Sequence, residues 1–410
     1  MAGVYKIKEV VTATDIRQFL NLVDDIYRGN DCWVRPLDCD IEAVFDSTKN
    51  ELFENGEACR WIALDEKGKV VGRIGAFYNR EQAAIEEQHT GGCGFFECID
   101  SNQVASLMFD AAKAWLESKG MEAMDGPINF GDRGSWWGVL VKGFEFPPLY
   151  SNPYNPPYYQ HLFEDYGFMN YFNQHTFLRP LEAGGMGEAV YSRVKRLEQE
   201  NIFRFLTIDK KRINDYAEEF RTVYNGAWAK FTGVKPIDSE HAKTLLKTMK
   251  PIIDEDLMYF AYHENNPIGF FIMMPDLNRI IGKFNGRFGL IEKLKLMLTL
   301  KYRPVDRAAG LIFGVLPEYQ GKSVESGMMY AFEKTLKSKK LSYKTMELTW
   351  VGDFNPVMIR MCENYVQATK HKMHATYRYL FDRTKEFKRC PSLRLKPKRV
   401  KPAQPEQPTV

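Results

Sequence analysis

The sequence predicts an α+β protein made of two similar halves, each a mixed, mostly antiparallel sheet flanked by helices. Three observations support this fold class. The same order of strands and helices recurs at a spacing of about 200 residues. Each half ends with an Asn-Pro pair before a short helix, a turn and a last strand, beginning at Asn155 and at Asn355. A glycine-rich stretch, residues 179–187, separates the two halves.

Length and composition indicate a soluble globular chain of more than one domain. The 410 residues suffice for two or three domains, and the hydrophobic fraction of 44% and charged fraction of 27% are ordinary for such proteins. No apolar run reaches the roughly 18 residues that a membrane-spanning helix needs. Residues 1–9 lack the apolar core of a signal peptide. We therefore expect a cytoplasmic protein.

Cysteine and histidine are not spaced for metal binding. The seven cysteines include no Cys-x-x-Cys pair, the spacing that zinc sites and redox motifs use. His371 and His374 are three residues apart, but nothing nearby completes a tetrahedral set of ligands. We expect reduced and packed thiols, solvated histidines and no bound metal.

Strands and helices alternate in both halves. We expect helices where apolar residues recur at helical spacing, and hairpins where two apolar runs flank a turn such as Lys67-Gly68. The first half should contain a strand at 5–11, a helix at 14–27, a hairpin at 61–77, a strand at 94–99, a helix at 102–119 and a closing strand at 174–178. The second half should contain a strand at 203–208, a helix at 213–228, a hairpin at 258–273, a strand at 311–316, a helix at 323–339 and a closing strand at 375–381.

These elements divide the chain into two domains, a linker and a tail. Residues 1–180 form the first predicted domain, residues 181–200 the linker and residues 201–387 the second domain. Residues 388–410 are rich in Pro, Lys and Arg and carry few large apolar side chains. They are predicted to form a disordered tail.

The most informative segment joins the predicted strand at 311–316 to the helix that begins near Ser323. The first N–H groups of a helix have no partner within the helix, and the helix dipole adds positive charge there. Gly321 permits a tight turn and a close approach of backbone to a phosphate group. The segment therefore predicts an anion site. Its spacing is neither that of a Walker loop nor that of the dinucleotide fingerprint.

Residues 314–322, Gly-Val-Leu-Pro-Glu-Tyr-Gln-Gly-Lys, resemble the pyrophosphate loop of the GNAT acyltransferases, and both Asn-Pro endings resemble the end of a GNAT domain. The resemblance covers nearly all of residues 1–385 and implies two GNAT folds in tandem. It also implies acyl-CoA or acetyl-CoA as co-substrate, with no metal. The residues that it assigns to the coenzyme are Val315, Gln320, Gly321, Lys322, Ser323 and Asn355. Glu325 departs from the family pattern, because a carboxylate replaces the last small residue of the loop.

The resemblance also distinguishes the two halves. In a GNAT fold, the strand before the anion loop and the next strand splay apart, and the acyl thioester lies in the gap with its amides paired to free strand edges. In the second half these strands should be residues 311–316 and 344–351. The matching first-half segment, residues 99–105, has no glycine and no basic residue. We therefore expect the second half to bind the coenzyme, and the first half, whose cofactor loop is degenerate, to shape the acceptor site.

A base is needed to take a proton from an ammonium acceptor. One candidate is Glu347, which shares a strand face with Thr349 by alternation. Asp276, where the chain leaves a hairpin, and Asp353 are further carboxylate candidates. Asn225 is also predicted to take part in catalysis, near the acceptor loop. For each of these residues, a turn cap or a helix end is the structural alternative.

Two further segments bear on the acceptor. Residues 279–303 are apolar and basic with one acidic residue, and Leu290, Leu294 and Leu298 fit one helical face. Such segments lie on anionic membranes or cover apolar ligands, and a helix packed on the core with a solvated basic face is the alternative. Residues 126–159 are rich in Gly, Pro and aromatic residues and predict a long loop that lines a groove.

Together these motifs resemble the bacterial ceramide-synthase-type acyltransferases, which join a fatty acyl thioester to a sphingoid amine. The resemblance implies an acyl-CoA-dependent N-acyltransferase with a lipid amine acceptor, in peripheral contact with the inner face of an anionic membrane and without a nucleic-acid partner. The alternatives are a Fem-like aminoacyl-tRNA-dependent transferase, a small-amine N-acetyltransferase and a non-catalytic tandem GNAT. The last alternative arises because Phe163 and Cys362 stand where many GNAT enzymes have a tyrosine general acid.

Overall fold

Strands and helices follow one another in the predicted order along both halves. A computed structural model of the protein describes residues 4–181, 187–228, 236–303, 305–339 and 341–393. The strands β1 to β13 are Lys6–Glu9, Gly56–Leu64, Val70–Asn79, Thr90–Cys98, Ala123–Gly126, Val139–Lys142, Met169–Pro180, Phe203–Thr207, Met258–His263, Asn266–Pro275, Arg307–Val315, Thr345–Gly352 and Thr369–Leu380. The helices α1 to α12 are Ala13–Ile26, Asp38–Val44, Arg80–Ile85, Asn102–Ser118, Tyr159–Tyr166, Glu188–Glu200, Ile213–Trp228, Ser239–Met249, Asn278–Ile281, Leu290–Tyr302, Val324–Ser338 and Pro356–Asn364.

Capping residues set the starts of two first-half helices. Thr12 accepts a hydrogen bond from the Asp15 N–H at 3.2 Å, and the Asp15 carboxylate accepts one from the Thr12 N–H at 3.1 Å. This reciprocal pair is a capping box at the start of α1. Ser101 caps α4 by accepting from the Val104 N–H. These caps satisfy N–H groups that have no partner within the helix.

The strands described in the structure join one continuous sheet. Its order is β1-β2-β3-β4-β5-β13-β7-β12-β11-β10-β9-β8, and β6 pairs with β13 outside that path. The pairs β4–β5 and β11–β12 run parallel, whereas the other pairs run antiparallel. The predicted fold class, with a mixed and mostly antiparallel sheet flanked by helices, is confirmed.

The two halves exchange their last strands. Strand β13, from the end of the second half, lies between β5 and β7 of the first half, and β7 lies between β13 and β12. In these registers Tyr377 is opposite Gly126 and Glu347 is opposite Leu178. Because the exchange joins the halves through strand pairing, each half completes the sheet of the other. The domain boundary at residues 181–200 stays a prediction.

Strand β7 has a break in register on both of its sides at one level. The pairing with β13 shifts across residues 370–373, and the pairing with β12 shifts across residues 348–351. The Lys372 N–H donates to Thr176 Oγ1 at 3.1 Å instead of to a strand partner. Bulges re-aim side chains, and this one brings both His371 and Lys372 toward Glu347 on β12.

Helices cover both faces of the sheet. In the second half, α7 and α8 pack over Phe260 and Phe270, whereas α6, α11 and α12 pack over side chains on the opposite face. In the first half, α4 and α5 enclose Phe109 and Phe163. None of the helices in the described ranges is long and apolar enough to cross a membrane.

Part of the predicted tail lies against the sheet. The Cys390 N–H donates to Tyr171 O at 3.0 Å, and the Leu393 N–H donates to Phe354 O at 2.7 Å. Arg389 also forms an ion pair with Asp353 at 2.8 Å. Residues 388–393 are therefore held in place by the folded protein, which the composition of the segment did not indicate. The rest of the tail, residues 394–410, and linker residues 182–186 lie outside the described residues.

Candidate functional site

Strands β11 and β12 separate toward their carboxyl ends. They pair in parallel from Arg307 opposite Thr345 to Gly310 opposite Leu348, where their register ends. A cavity of about 170 Å³ lies where they separate, and we call it the second-half cleft. Its walls are mostly apolar and consist of Phe271, residues 310–313, residues 348–351, Met358, Met361, Cys362 and Val366. The splay that the sequence predicted for this half is present.

The turn after β11 leads into the start of α11. Gly321 has φ of +75° and Ser323 has φ of +66°, two left-handed positions that change the direction of successive N–H groups. Gln320 Nε2 donates to Val315 O at 3.1 Å and holds the turn against the strand. Gln320, Gly321 and Lys322 are exposed. The predicted coenzyme residues of this segment therefore lie together beside the second-half cleft.

A carboxylate of the chain itself lies at this turn. Glu325 is the second residue of α11, and its carboxylate lies near its own N–H and the Gly321 N–H, which lower its pKa. Burial raises the pKa of Glu325 above its usual value and outweighs these two N–H groups and the charge of Arg193, which lower it. The residue that departs from the GNAT pattern thus faces the anion site and does not point away from it.

Two predicted site residues hold backbone segments in place. The Asn355 side chain caps α12 by accepting from the Met358 N–H at 3.2 Å. Asn225 Nδ2 donates to Ile237 O at 2.8 Å, and its Oδ1 accepts from the Ile237 N–H at 2.8 Å. Asn225 therefore fixes the chain that follows α7. The Trp228 side chain, three residues further along α7, lies outside the described residues.

Asp276 and Glu347, the two predicted bases, meet on a shared arginine. Arg307 Nη2 and Nε lie 2.6 Å and 2.8 Å from Asp276 Oδ2. Arg307 Nη1 lies 3.3 Å from Glu347 Oε2, and Lys372 Nζ lies 2.6 Å from Glu347 Oε1. The exposed fraction is 5% or less for all four residues, and Glu347 is 0% exposed. We call this set the buried charge network.

The loop between β6 and α5 closes over the buried charge network. Pro147 O accepts from Arg307 Nη1 at 3.2 Å and from Lys372 Nζ at 3.1 Å. Pro148 O accepts from Arg307 Nη2 at 3.1 Å and from Asn278 Nδ2 at 2.9 Å. These bonds supply partners for donors that burial removes from water. The predicted long loop, residues 126–159, thus connects the first half to the candidate site of the second.

Burial and pairing act in opposite directions on these groups. Burial raises the pKa of Asp276, and Arg307 lowers it. Burial lowers the pKa of Lys372, and Glu347 raises it. Each charge is therefore stabilised by its partners, so removing one member leaves another buried charge uncompensated.

His371 is a member of the site that sequence reasoning missed. Its Nε2 lies 4.0 Å from Glu347 Oε2, and its ring centre lies 4.0 Å from that of Phe146. Its side chain is 7% exposed, so the expectation of a solvated histidine is wrong here. Burial lowers the pKa of His371, although Glu347 raises it, and the ring is therefore neutral at neutral pH. Consecutive polar residues in an otherwise alternating strand were the signal for the bulge that places it.

The matching cleft of the first half is filled by its own side chains. The Tyr158 hydroxyl donates to Cys98 O at 2.7 Å, and the Tyr159 hydroxyl accepts from the Cys98 N–H at 2.8 Å. Ile128 N–H donates to Cys93 O at 2.8 Å, farther back along the same strand. The cavity that remains is about 70 Å³. The strand edge that a ligand amide would use is therefore already hydrogen-bonded.

A buried carboxylate lies beside this first-half cavity. The Tyr159 and Tyr27 hydroxyls donate to Glu97 Oε2 at 2.7 Å and 2.9 Å. Arg73 Nη2 lies 3.5 Å from Glu97 Oε1. Burial raises the pKa of Glu97, and Arg73 and the two hydroxyls lower it. The sequence did not single out this cluster, because its members are spread over four separate elements.

Comparisons with known proteins give two curated relatives at low identity. No family model matches the chain. Protein YghO of Escherichia coli (strain K12) is 24% identical over 381 residues, which cover 90% of this chain and 94% of that protein. Bacterial ceramide synthase of Caulobacter vibrioides is 26% identical over 374 residues, which cover 90% of this chain and 95% of that protein.

Solved structures decide the fold. A tandem GNAT protein from the clavulanic acid biosynthesis pathway aligns with a TM-score of 0.53 at 10% identity, over 92% of this chain and 99% of its own. The chain has a tandem GNAT fold. A GCN5-related glucosamine N-acetyltransferase region of a fungal multi-domain β-N-acetylglucosaminidase also aligns with this chain, with a TM-score of 0.52 at 13% identity, over 92% of this chain and 38% of that one. The predicted tandem GNAT fold and the resemblance to bacterial ceramide synthase are confirmed.

Proposed function

We propose that this tandem GNAT protein is an acyl-CoA-dependent N-acyltransferase whose donor binds in the second-half cleft. The observation that carries the proposal is the difference between the two clefts. The second-half cleft is open and apolar, and its wall β11 leads into an exposed turn of backbone N–H groups, whereas tyrosine hydroxyls occupy the strand edge of the first-half cleft. The name of the Caulobacter relative supports acyl transfer.

In this proposal, the turn at Gly321 and the first N–H groups of α11 bind the coenzyme diphosphate. Lys322 is exposed beside them and supplies a positive charge. The thioester lies between β11 and β12, where backbone N–H groups near Val315 polarise its carbonyl group. Glu325 turns away from the turn when the diphosphate binds.

The proton of the acceptor ammonium passes to the pair formed by His371 and Glu347. Glu347 has no exposed surface, whereas part of the neutral His371 ring is accessible. His371 takes the proton and Glu347 stabilises the imidazolium. The neutral amine then attacks the thioester carbonyl and the C–N bond forms. The C–S bond breaks, and the second proton that the nitrogen loses goes to the departing coenzyme thiolate. Asp276 holds Arg307 in place against Glu347.

We assign a lipid amine as the acceptor. This finer step is supported by the ceramide synthase relative and by the apolar walls of the second-half cleft, which suit a fatty acyl donor. Peripheral contact with an anionic membrane belongs to the same proposal, because a lipid amine resides in a bilayer.

Mass spectrometry of reaction products tests the proposal. Purified protein is incubated with palmitoyl-CoA or acetyl-CoA and with a long-chain or a short-chain primary amine. We expect an N-acyl product from palmitoyl-CoA and the long-chain amine. Leu311→Trp, which fills the cleft, should abolish it, and Leu206→Trp, at a similarly exposed position on β8, should not.

Three results would contradict this assignment. If Leu311→Trp turned over as fast as wild type, the donor would not bind in the second-half cleft. Acetylation of short-chain amines alone would replace the lipid assignment with a small-amine N-acetyltransferase. Transfer from aminoacyl-tRNA, with none from an acyl-CoA, would favour the Fem-like alternative.

A further inference from the structure

Helix α10 presents its apolar face to solvent. Six apolar side chains on it are between 47% and 86% exposed: Leu290, Ile291, Leu294, Met297, Leu298 and Tyr302. At 3.6 residues per turn they lie within an arc of about 140°. Leu296, on the far side of the helix, is the residue that is buried. A surface helix usually packs its apolar face on the core, and α10 does the reverse. The alternative from the sequence, in which the apolar face packs on the core and a basic face is solvated, therefore does not hold.

The segment that carries α10 is firmly attached to both halves. It is the connection between β10 and β11, and its two ends, Asp276 and Arg307, are joined by an ion pair of 2.6 Å. Ile281 and Phe284 near its start are buried in the core. The Asp38 N–H of the first half donates to Gly286 O at 2.8 Å. The exposed face therefore belongs to an anchored helix.

Positive charges border the apolar face. Lys293 and Lys295 flank it along the helix, Lys301 lies within its arc on the last turn, and Lys283 and Arg287 are also exposed. The one acidic residue of the segment, Glu292, is used within the helix, where its carboxylate accepts from the Gly289 N–H at 3.0 Å. An apolar strip bordered by cations complements a bilayer with anionic headgroups.

We propose that α10 docks the protein on an anionic bilayer, with its apolar face at the boundary of the acyl chains and its lysines at the level of the headgroup phosphates. A second copy of the chain fits this surface less well, because two such faces would bring like charges together. Docking places the Asp276–Arg307 end of the connection, and the buried charge network beside it, near the membrane. Vesicle binding can be measured without acyl transfer, so the docking is tested by itself. Only its purpose, the delivery of a lipid amine to the site, rests on the proposed function.

Co-sedimentation with phosphatidylglycerol–phosphatidylcholine vesicles, at low and high salt and without any acyl-CoA, tests the docking. We expect wild type to bind these vesicles, to bind phosphatidylcholine vesicles more weakly and to dissociate as salt rises. Replacing Lys293 or Lys295 by glutamine should weaken binding about fivefold each. Leu294→Glu with Leu298→Glu should abolish binding, whereas Leu245→Glu, at an exposed position on α8, should leave it unchanged.

Three outcomes would overturn the inference. Wild type could fail to bind anionic vesicles, or the Leu294→Glu and Leu298→Glu variant could bind as well as wild type. Light scattering could instead show a dimer that this variant dissolves, which would make a second copy the occupant. Vesicle binding without acyl transfer would leave the docking intact and defeat the proposed acyltransferase activity. Acyl transfer without vesicle binding would defeat the docking and the proposed membrane contact, and would leave the acyltransferase activity intact.

Discussion

Replacing Glu325 by glutamine is predicted to tighten the binding of acyl-CoA. The Glu325 carboxylate lies near its own N–H and that of Gly321, at the turn that we assign to the coenzyme diphosphate. The diphosphate therefore has to displace this carboxylate and then lie near its negative charge. Glutamine keeps the size of the side chain and removes the charge.

The expected gain follows from Coulomb's law. Two unit charges about 6 Å apart repel by about 3 kcal/mol at an effective dielectric constant of about 20. The turn is exposed, so solvent screening leaves about 1 kcal/mol of this repulsion. A difference of about 1 kcal/mol corresponds to a Kd that is about fivefold lower.

The pH dependence of acyl-CoA binding gives a second test of the effect of the Glu325 charge. Burial raises the pKa of Glu325 above its usual value, so this carboxylate takes up its proton at a higher pH than an exposed glutamate does. The protonated form is neutral, and wild-type affinity for acyl-CoA should therefore rise as the pH falls toward that pKa. The Glu325→Gln variant lacks this titration, so its affinity should rise less.

Calorimetric titration with acyl-CoA across about pH 5 to pH 8 measures both effects. Since the coenzyme phosphates titrate in the same way for every variant, the comparison isolates Glu325. Glu318→Gln is the matched control, because Glu318 is an exposed acid of the same turn. The reasoning is refuted if Glu325→Gln leaves the Kd unchanged at neutral pH and keeps the pH dependence of wild type.

Two further substitutions test the buried charge network. Glu347→Gln should lower turnover by about 10²-fold with the fold retained, and should move the acid limb of the pH–rate profile to lower pH, because Glu347 raises the pKa of His371. Unchanged turnover at every pH would exclude a role for Glu347. Arg307→Met leaves Asp276 and Glu347 without their shared cation, so the free energy of unfolding in urea should fall by about 3–5 kcal/mol. Arg221→Met, which breaks an exposed ion pair, should cost less than about 1 kcal/mol, and equal losses would contradict the importance of burial.

The order of elements could be predicted because it depends on local patterns. The hairpin turn at Lys67-Gly68 and the Ser101 cap are each specified by residues close in the chain. The exchange of the last strands could not be predicted in the same way. The Asn-Pro signals at Asn155 and Asn355 specify a helix, a turn and a strand, but they do not specify which strand will be the neighbour.

The part of the candidate site that lies on one continuous segment could be predicted. The turn at Gly321 depends on backbone that is continuous with its strand and helix, so its position and its left-handed φ followed from the sequence. Asp276 and Glu347 were predicted as separate bases, because their common partner Arg307 is 31 and 40 residues away from them. His371 reaches this site only through a bulge between strands of different halves. The consecutive polar residues around it signal the bulge, but they do not show which strand it will face.

Calorimetric titration of acyl-CoA into wild type, Gly321→Val and Gly68→Val tests the central claim, that the donor binds at the turn and cleft of the second half. Both glycines have similar left-handed φ, +75° and +76°, and an added Cβ meets no atom within 4 Å at either position. The two variants therefore carry the same backbone strain, but only Gly321 lies at the proposed diphosphate site. We predict that wild type and Gly68→Val bind acyl-CoA with the same Kd, and that Gly321→Val binds at least about tenfold more weakly. The same Kd for all three proteins would contradict the claim.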